Sequence, residues 1–219
     1  MLKTVRIWFR KVGIAKYISH LDLNRCMSRA MRRAKIPAWV TEGFNPHLFL
    51  TFALPLSLGQ EGLQESMDIK LPDDYDLNAL PEQLNAVLPE GLEATRAAEA
   101  QHKPAAIDHA VYALTLRAGE TAPENLANQL TAFLAQPEIL VVKKTKTGEK
   151  TMDLKPYLNG MTAATDATGL HLTVTLPAGN AMNINTSLFT DALEAYIGAE
   201  LQVRVVREKI CEKDGKIFS

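Results

Sequence analysis

Residues 1–98 carry an order of alternating and helical patterns that returns in residues 107–206, and this repetition narrows the folds open to the chain more than any other feature. In the first half, Val5, Ile7 and Phe9 alternate with Arg6, Trp8 and Arg10, the period expected of a strand whose two faces meet different environments. Ser19 then opens a helix, with Asp22 three residues on as a capping-box-like partner. Leu23, Met27, Ala30 and Ala34 form its core stripe, and Pro37 is expected to stop it. Trp39 to Thr41, Leu48 to Leu56 and Glu65 to Leu71 read as extended segments. Leu80, Leu84, Val87 and Leu88 outline a short helix with Pro81 in its first turn, and a strand near Glu93 to Ala98 closes the half.

The linker-like run QHKPAA occupies 101–106, and the order then repeats. Ile107 to Leu116 reads as a strand, and Leu126, Leu130, Phe133 and Leu134 as a helix stripe. Glu138 to Lys146 and Thr151 to Leu154 flank a hairpin turn at Thr147-Gly148, giving an arm rich in lysine at 143, 144, 146 and 150. Leu170 to Leu176 is strand, Leu188 to Ile197 helix ending before Gly198, and Leu201 to Val206 strand. Each half can be written βαββαβ. The expected fold is therefore α+β: two tandem ferredoxin-like units with antiparallel sheets, 1–102 and 103–219.

Charge concentrates at one end. Residues 1–50 hold ten Lys/Arg against two Asp/Glu, net +8, so the remainder carries net −9 beneath an overall −1. Such asymmetry suggests a polyanionic partner. On the first helix Arg25, Arg29, Arg32 and Arg33 lie within about 100° of one another, opposite the core stripe. Guanidinium groups there suit phosphates, because the charge is permanent and the fork matches two oxygens. Arg6, Trp8 and Arg10 can add charge and a stacking surface on the sheet's open face, and Lys143 and Lys144 extend the candidate RNA-binding set. A solvated charged face accounts for the helix arginines equally well, and a buried indole for Trp8.

His20 and His47 are the only histidines in the basic segment, and imidazoles sharing a cleft can serve as general acid and base, for instance in RNA cleavage through the 2′-hydroxyl. A turn histidine, however, often only bonds backbone. Gly43 and Asn45 shape the loop between them, and Gly43 and Gly59 are expected at positive φ or close approach. Cys26 and Cys211 are the only cysteines, too few for a Cys-ligated iron–sulfur cluster. No CxxC zinc spacing, P-loop, GxSxG, HExxH or GxGxxG motif occurs, and Asp22 and Glu42 lack a tight ligand spacing. No metal or cofactor is expected. No apolar run reaches the roughly 18 residues of a membrane span, and the N-terminus lacks a signal-peptide core, so a cytoplasmic protein without membrane association is expected.

Tyr17 to Asp22, Arg32 to Ala34, Gly43 to His47 and Ala53 to Gly59, with Met152-Asp-Leu-Lys-Pro-Tyr157 as a weaker second signature, resemble the radical-SAM-linked family, bacterial proteins long catalogued as a domain of unknown function. Leu48 departs from the family's usual proline, and LFLTF lacks its basic residue. The resemblance implies company with a radical-SAM enzyme. Since the chain has no cluster-binding CxxxCxxC, that enzyme would act in trans. The expectation is a non-catalytic RNA-binding accessory holding a tRNA or rRNA for a separate modifying enzyme. The alternatives are a metal-independent RNA endonuclease using His20 and His47, and a protein-interaction subunit with a basic docking face.

Overall fold

A computed structural model describes residues 1–145 and 148–219, with the side chains of 144 and 145 outside the description. The chain forms two compact units: Met1–Ile107 together with Arg207–Ser219, and Asp108–Val206. It is an α+β protein whose registered strand pairs are antiparallel.

The first unit contains β1 (Leu2–Lys11), α1 (His20–Arg33), β2 (Leu50–Phe52), β3 (Glu61–Pro72), α2 (Leu80–Asn85) and β4 (Leu92–Glu99). Its strands run β4-β1-β3, with β2 beside residues 67–69 of β3. Val5, Ile7 and Phe9 on one face of β1 meet Leu23, Met27, Ala30 and Met31 of α1 in a closed core with Met67, Ile69 and Leu71. Burial of each such side chain contributes about 1.5–3 kcal/mol.

Local chemistry sets the ends of α1. Ser19 Oγ accepts the Asp22 amide at 3.1 Å, and the hydroxyl donates to Asp22 Oδ2 at 2.8 Å. The helix stops earlier than Pro37. Lys35 takes φ 54°, its amide bonds Arg32 O at 3.1 Å, and the Ile36 amide bonds Met31 O at 3.0 Å, which together make a Schellman motif. Beyond it, Trp39–Thr41 is not a regular strand: a single bridge joins Val40 to Leu48, and the extended segment expected over 48–56 forms strand only at Leu50–Phe52.

The second unit contains β5 (Ile107–Arg117), α3 (Pro123–Leu134), β6 (Leu140–Thr145), β7 (Gly148–Asp153), α4 (Lys155–Leu158), β8 (Thr162–Asp166), β9 (Gly169–Pro177) and α5 (Thr186–Ile197). β10 (Gln202–Glu212) starts in this unit and ends in the first. Its strands run β10-β5-β9-β8, and β6 and β7 pair only with each other. Ala110, Tyr112, Leu114 and Leu116 alternate inward along β5, while Phe133 of α3 and Phe189 of α5 pack with ring centroids 6.2 Å apart. Gly198 ends α5 at φ 67°. The sequence pattern missed β8, whose five residues are all exposed and carry no apolar alternation.

Candidate nucleic-acid interface

Because α1 buries Leu23, Met27, Ala30 and Met31, its period of 3.6 turns all four helix arginines outward. Arg25, Arg29, Arg32 and Arg33 line one groove of about 650 Å³ with Asp22, Cys26 and Pro89. Two of them are tied. Arg25 Nη1 lies 3.1 Å from Asp22 Oδ1, and Arg33 Nη2 donates to Val87 O at 2.5 Å. Arg29 and Arg32 are exposed, and their side chains have no hydrogen-bond or ion-pair partner among the described residues. The Ser19 hydroxyl, then Arg25, hold Asp22 below the usual carboxylate range, so the groove keeps one anion beside four cations at neutral pH. Half-burial pushes the Cys26 thiol up, against the pull of Arg33 and Arg29.

The strand residues divide differently from the expectation. Arg6 is fully buried, and its guanidinium holds Asp68 by Nε–Oδ1 and Nη2–Oδ2 bonds of 2.8 Å and also donates to His102 O at 2.8 Å. It presents no charge to a ligand. The cause is register: Arg6 sits directly opposite Asp68 on β3, and the Phe218 ring lies 4.0 Å from the guanidinium carbon. Trp8 is 7% exposed, and its ring is covered by Arg96, whose guanidinium carbon is 3.7 Å from the ring centroid. Direct base stacking on Trp8 is therefore blocked. Arg10 remains at the surface, 3.6 Å from Glu93.

His20 begins α1 and packs edge-on to Phe52 at 5.1 Å. His47 Nδ1 lies 2.9 Å from the Asn45 carbonyl, which can only accept, so the imidazole carries its hydrogen there. The His47 amide also donates to Thr41 Oγ1 at 3.1 Å, and the Thr41 amide to His47 O at 2.8 Å. These bonds close the GFNPH loop, with Gly43 at φ 113° and the Phe44 side chain fully exposed. No hydrogen bond or ring contact joins His20 to His47 among the described residues. Lys143 donates to Asn183 O at 2.5 Å, whereas the Lys144 side chain and the Thr147 half of the expected turn lie outside the described residues.

Sequence reasoning missed Arg96 and Lys70. Arg96 faces Trp8 across β1 and β4, and Lys70 sits 4.7 Å from the Trp39 ring and 5.0 Å from that of Phe49. For Arg96 a cation opposite an aromatic on a neighbouring strand is the signal, readable only once the register is known, whereas Lys70 meets aromatics of a loop. Among the described residues no group of three or more His, Cys, Asp or Glu side chains is set to hold a metal, and no helix is long and apolar enough to cross a membrane.

No curated protein matches the chain. Among solved structures, similarity is found to one provisionally assigned as a glycine cleavage system transcriptional repressor, at TM-score 0.27 and 13% identity over 94% of this chain and 99% of that one. A protein of unknown role from Galdieria sulphuraria is similar at TM-score 0.26 and 13% identity, with the same coverage. Likeness that weak carries no argument about function. The model of the family described as "Uncharacterized protein conserved in bacteria (DUF2344)" matches residues 4–186, and the chain belongs to that family.

Proposed function

We propose that this protein is a non-catalytic RNA-binding accessory that holds a tRNA or rRNA for a separate modifying enzyme. The observation that carries this reading is the α1 groove, in which Arg29 and Arg32 are exposed, charged and without a carboxylate partner. A guanidinium whose own protein gives it no acceptor is free to take phosphate oxygens. The concentration of net +8 in the first fifty residues draws a polyanion toward the same segment. By the resemblance of its signatures, the partner enzyme is a radical-SAM enzyme, whose cluster cannot be held by the two cysteines of these 219 residues.

The reading extends to architecture. Each unit is taken as ferredoxin-like, supported by strand orders β4-β1-β3-β2 and β10-β5-β9-β8, in which the first and third strands lie between the second and fourth, as interleaved split βαβ units require. The β6-β7 hairpin and α4 are then an insertion in the second unit. Recovery of the tagged protein from native cytoplasm, with RNA and protein partners both identified, tests the reading. Enrichment of tRNA or rRNA that falls in the Arg29→Ala/Arg32→Ala variant is the expected result. Recovery of a protein partner with no RNA would overturn it in favour of a docking subunit.

A further inference from the structure

On the face of the first unit's sheet opposite α1 and α2, a second groove of about 740 Å³ crosses the strands. Its cationic side chains are Arg10, which lies 3.6 Å from Glu93, Arg96 and Lys209, its one acidic lining side chain is Glu208, and Trp8 and Phe218 give it an aromatic wall. Arg96 is the unusual member. Trp8 and Arg96 are direct cross-strand partners, which brings the guanidinium onto the indole at 3.7 Å. Yet the Arg96 side chain is exposed and makes no hydrogen bond or ion pair among the described residues. A guanidinium whose carbon lies 3.7 Å from the indole centroid is close enough to stack on that ring, and in Arg96 the exposed side chain keeps its N–H groups unspent. Its conformational freedom is already reduced before any ligand arrives.

An open guanidinium face stacks on an unpaired base, and free N–H edges take phosphate oxygens. A duplex hides its base faces and offers a groove of this kind only its backbone. We infer that this groove is a subsite for single-stranded RNA, with one unpaired base stacked on Arg96 and the adjoining phosphates on Lys209 and Arg10. The inference rests on the RNA-binding reading of α1 and gives it a substrate class: an RNA that pairs a structured part with an exposed single strand. Trp8 acts here as a positioning residue, because it holds the Arg96 plane and does not itself reach the base.

Fluorescence anisotropy with two labelled probes, an eight-nucleotide single-stranded RNA and a blunt RNA duplex, tests the inference at fixed low salt. Arg96→Ala is expected to weaken single-strand binding by roughly fivefold or more beyond any change for the duplex, the scale of one lost stacking contact. Arg96→Lys keeps the charge without the plane and is expected to show the same selective loss. Arg29→Ala/Arg32→Ala is expected to weaken both probes. Equal losses for both probes in Arg96→Ala, or full retention in Arg96→Lys, would overturn the stacking site and leave the α1 reading standing. Absence of binding to either probe by the wild type would overturn both. Unchanged circular dichroism spectra establish that each exposed-site variant is folded.

Discussion

The Arg207 guanidinium grips the Glu65 carboxylate through two hydrogen bonds, Nε to Oε1 at 2.9 Å and Nη2 to Oε2 at 2.5 Å, with both side chains buried. The same guanidinium donates to Leu54 O at 2.9 Å and Pro55 O at 3.1 Å. The Leu54 and Pro55 carbonyls of the Ala53–Gly59 signature are thus fastened from within the first unit. Arg207→Met is expected to destabilise the protein by about 3–5 kcal/mol, because Glu65 stays buried without its donor. Glu65→Leu/Arg207→Met is expected to recover part of that loss. Urea unfolding measures both, and a single-variant loss below about 1 kcal/mol would contradict the role given to the pair.

Lys11 shows how the same network responds to pH. The residue is 1% exposed, with Nζ donating to Ile18 O at 2.8 Å. Burial holds its pKa below the ordinary 10.5, with Glu65 opposing that shift and Arg207 reinforcing it. Between the lowered value and 10.5 the unfolded chain keeps a proton that the folded chain has released. This group's contribution therefore rises with pH across that window, and is lost as pH falls through the lowered value. Lys11→Met is expected to flatten the corresponding rise in urea midpoints measured from about pH 8 to about pH 11, relative to wild type. Parallel curves for the two proteins would contradict it.

Lys35 occupies a backbone position suited to glycine, φ 54° at the end of α1. A side chain in that conformation costs roughly 1 kcal/mol, partly offset by the greater entropy that glycine loses on folding. Lys35→Gly is expected to stabilise the protein by about 0.5 kcal/mol while preserving the Schellman bonds. Thermal unfolding checks the sign, and a lower melting temperature would contradict it.

His20 packs on Phe52, and His47 bonds Thr41 and Asn45, so each imidazole already has a neighbour of its own. Labelled RNA incubated without divalent metal is expected to be recovered intact. Cleavage abolished by His47→Ala would favour the nuclease alternative and contradict this account.

Much of the first unit was legible because its signals are local. Ser19, Asp22 and the Leu23–Met27–Ala30 stripe locate α1, and that stripe alone forces the arginines outward. What depends on strand register was not legible. Arg6 and Arg10 occupy equivalent places in the alternation, yet Asp68 opposite Arg6 draws one inside and leaves the other at the surface. Trp8 was readable as stacking or buried, and the structure makes it the support of Arg96, a residue with no pattern of its own. Likewise, nothing local to Arg207–Ser219 marks it as part of the first unit, because its partner Glu65 lies 142 residues away.

If Arg29 and Arg32 hold RNA phosphates, the salt dependence of RNA affinity registers both contacts. A bound phosphate adds about −0.7 to −0.9 to the slope of log affinity against log salt. A steep negative slope is expected for the wild type, becoming shallower by about 1.4 to 1.8 in Arg29→Ala/Arg32→Ala, with affinity reduced at every salt concentration. A wild-type affinity independent of salt, or a slope unchanged by the double variant, would contradict those contacts.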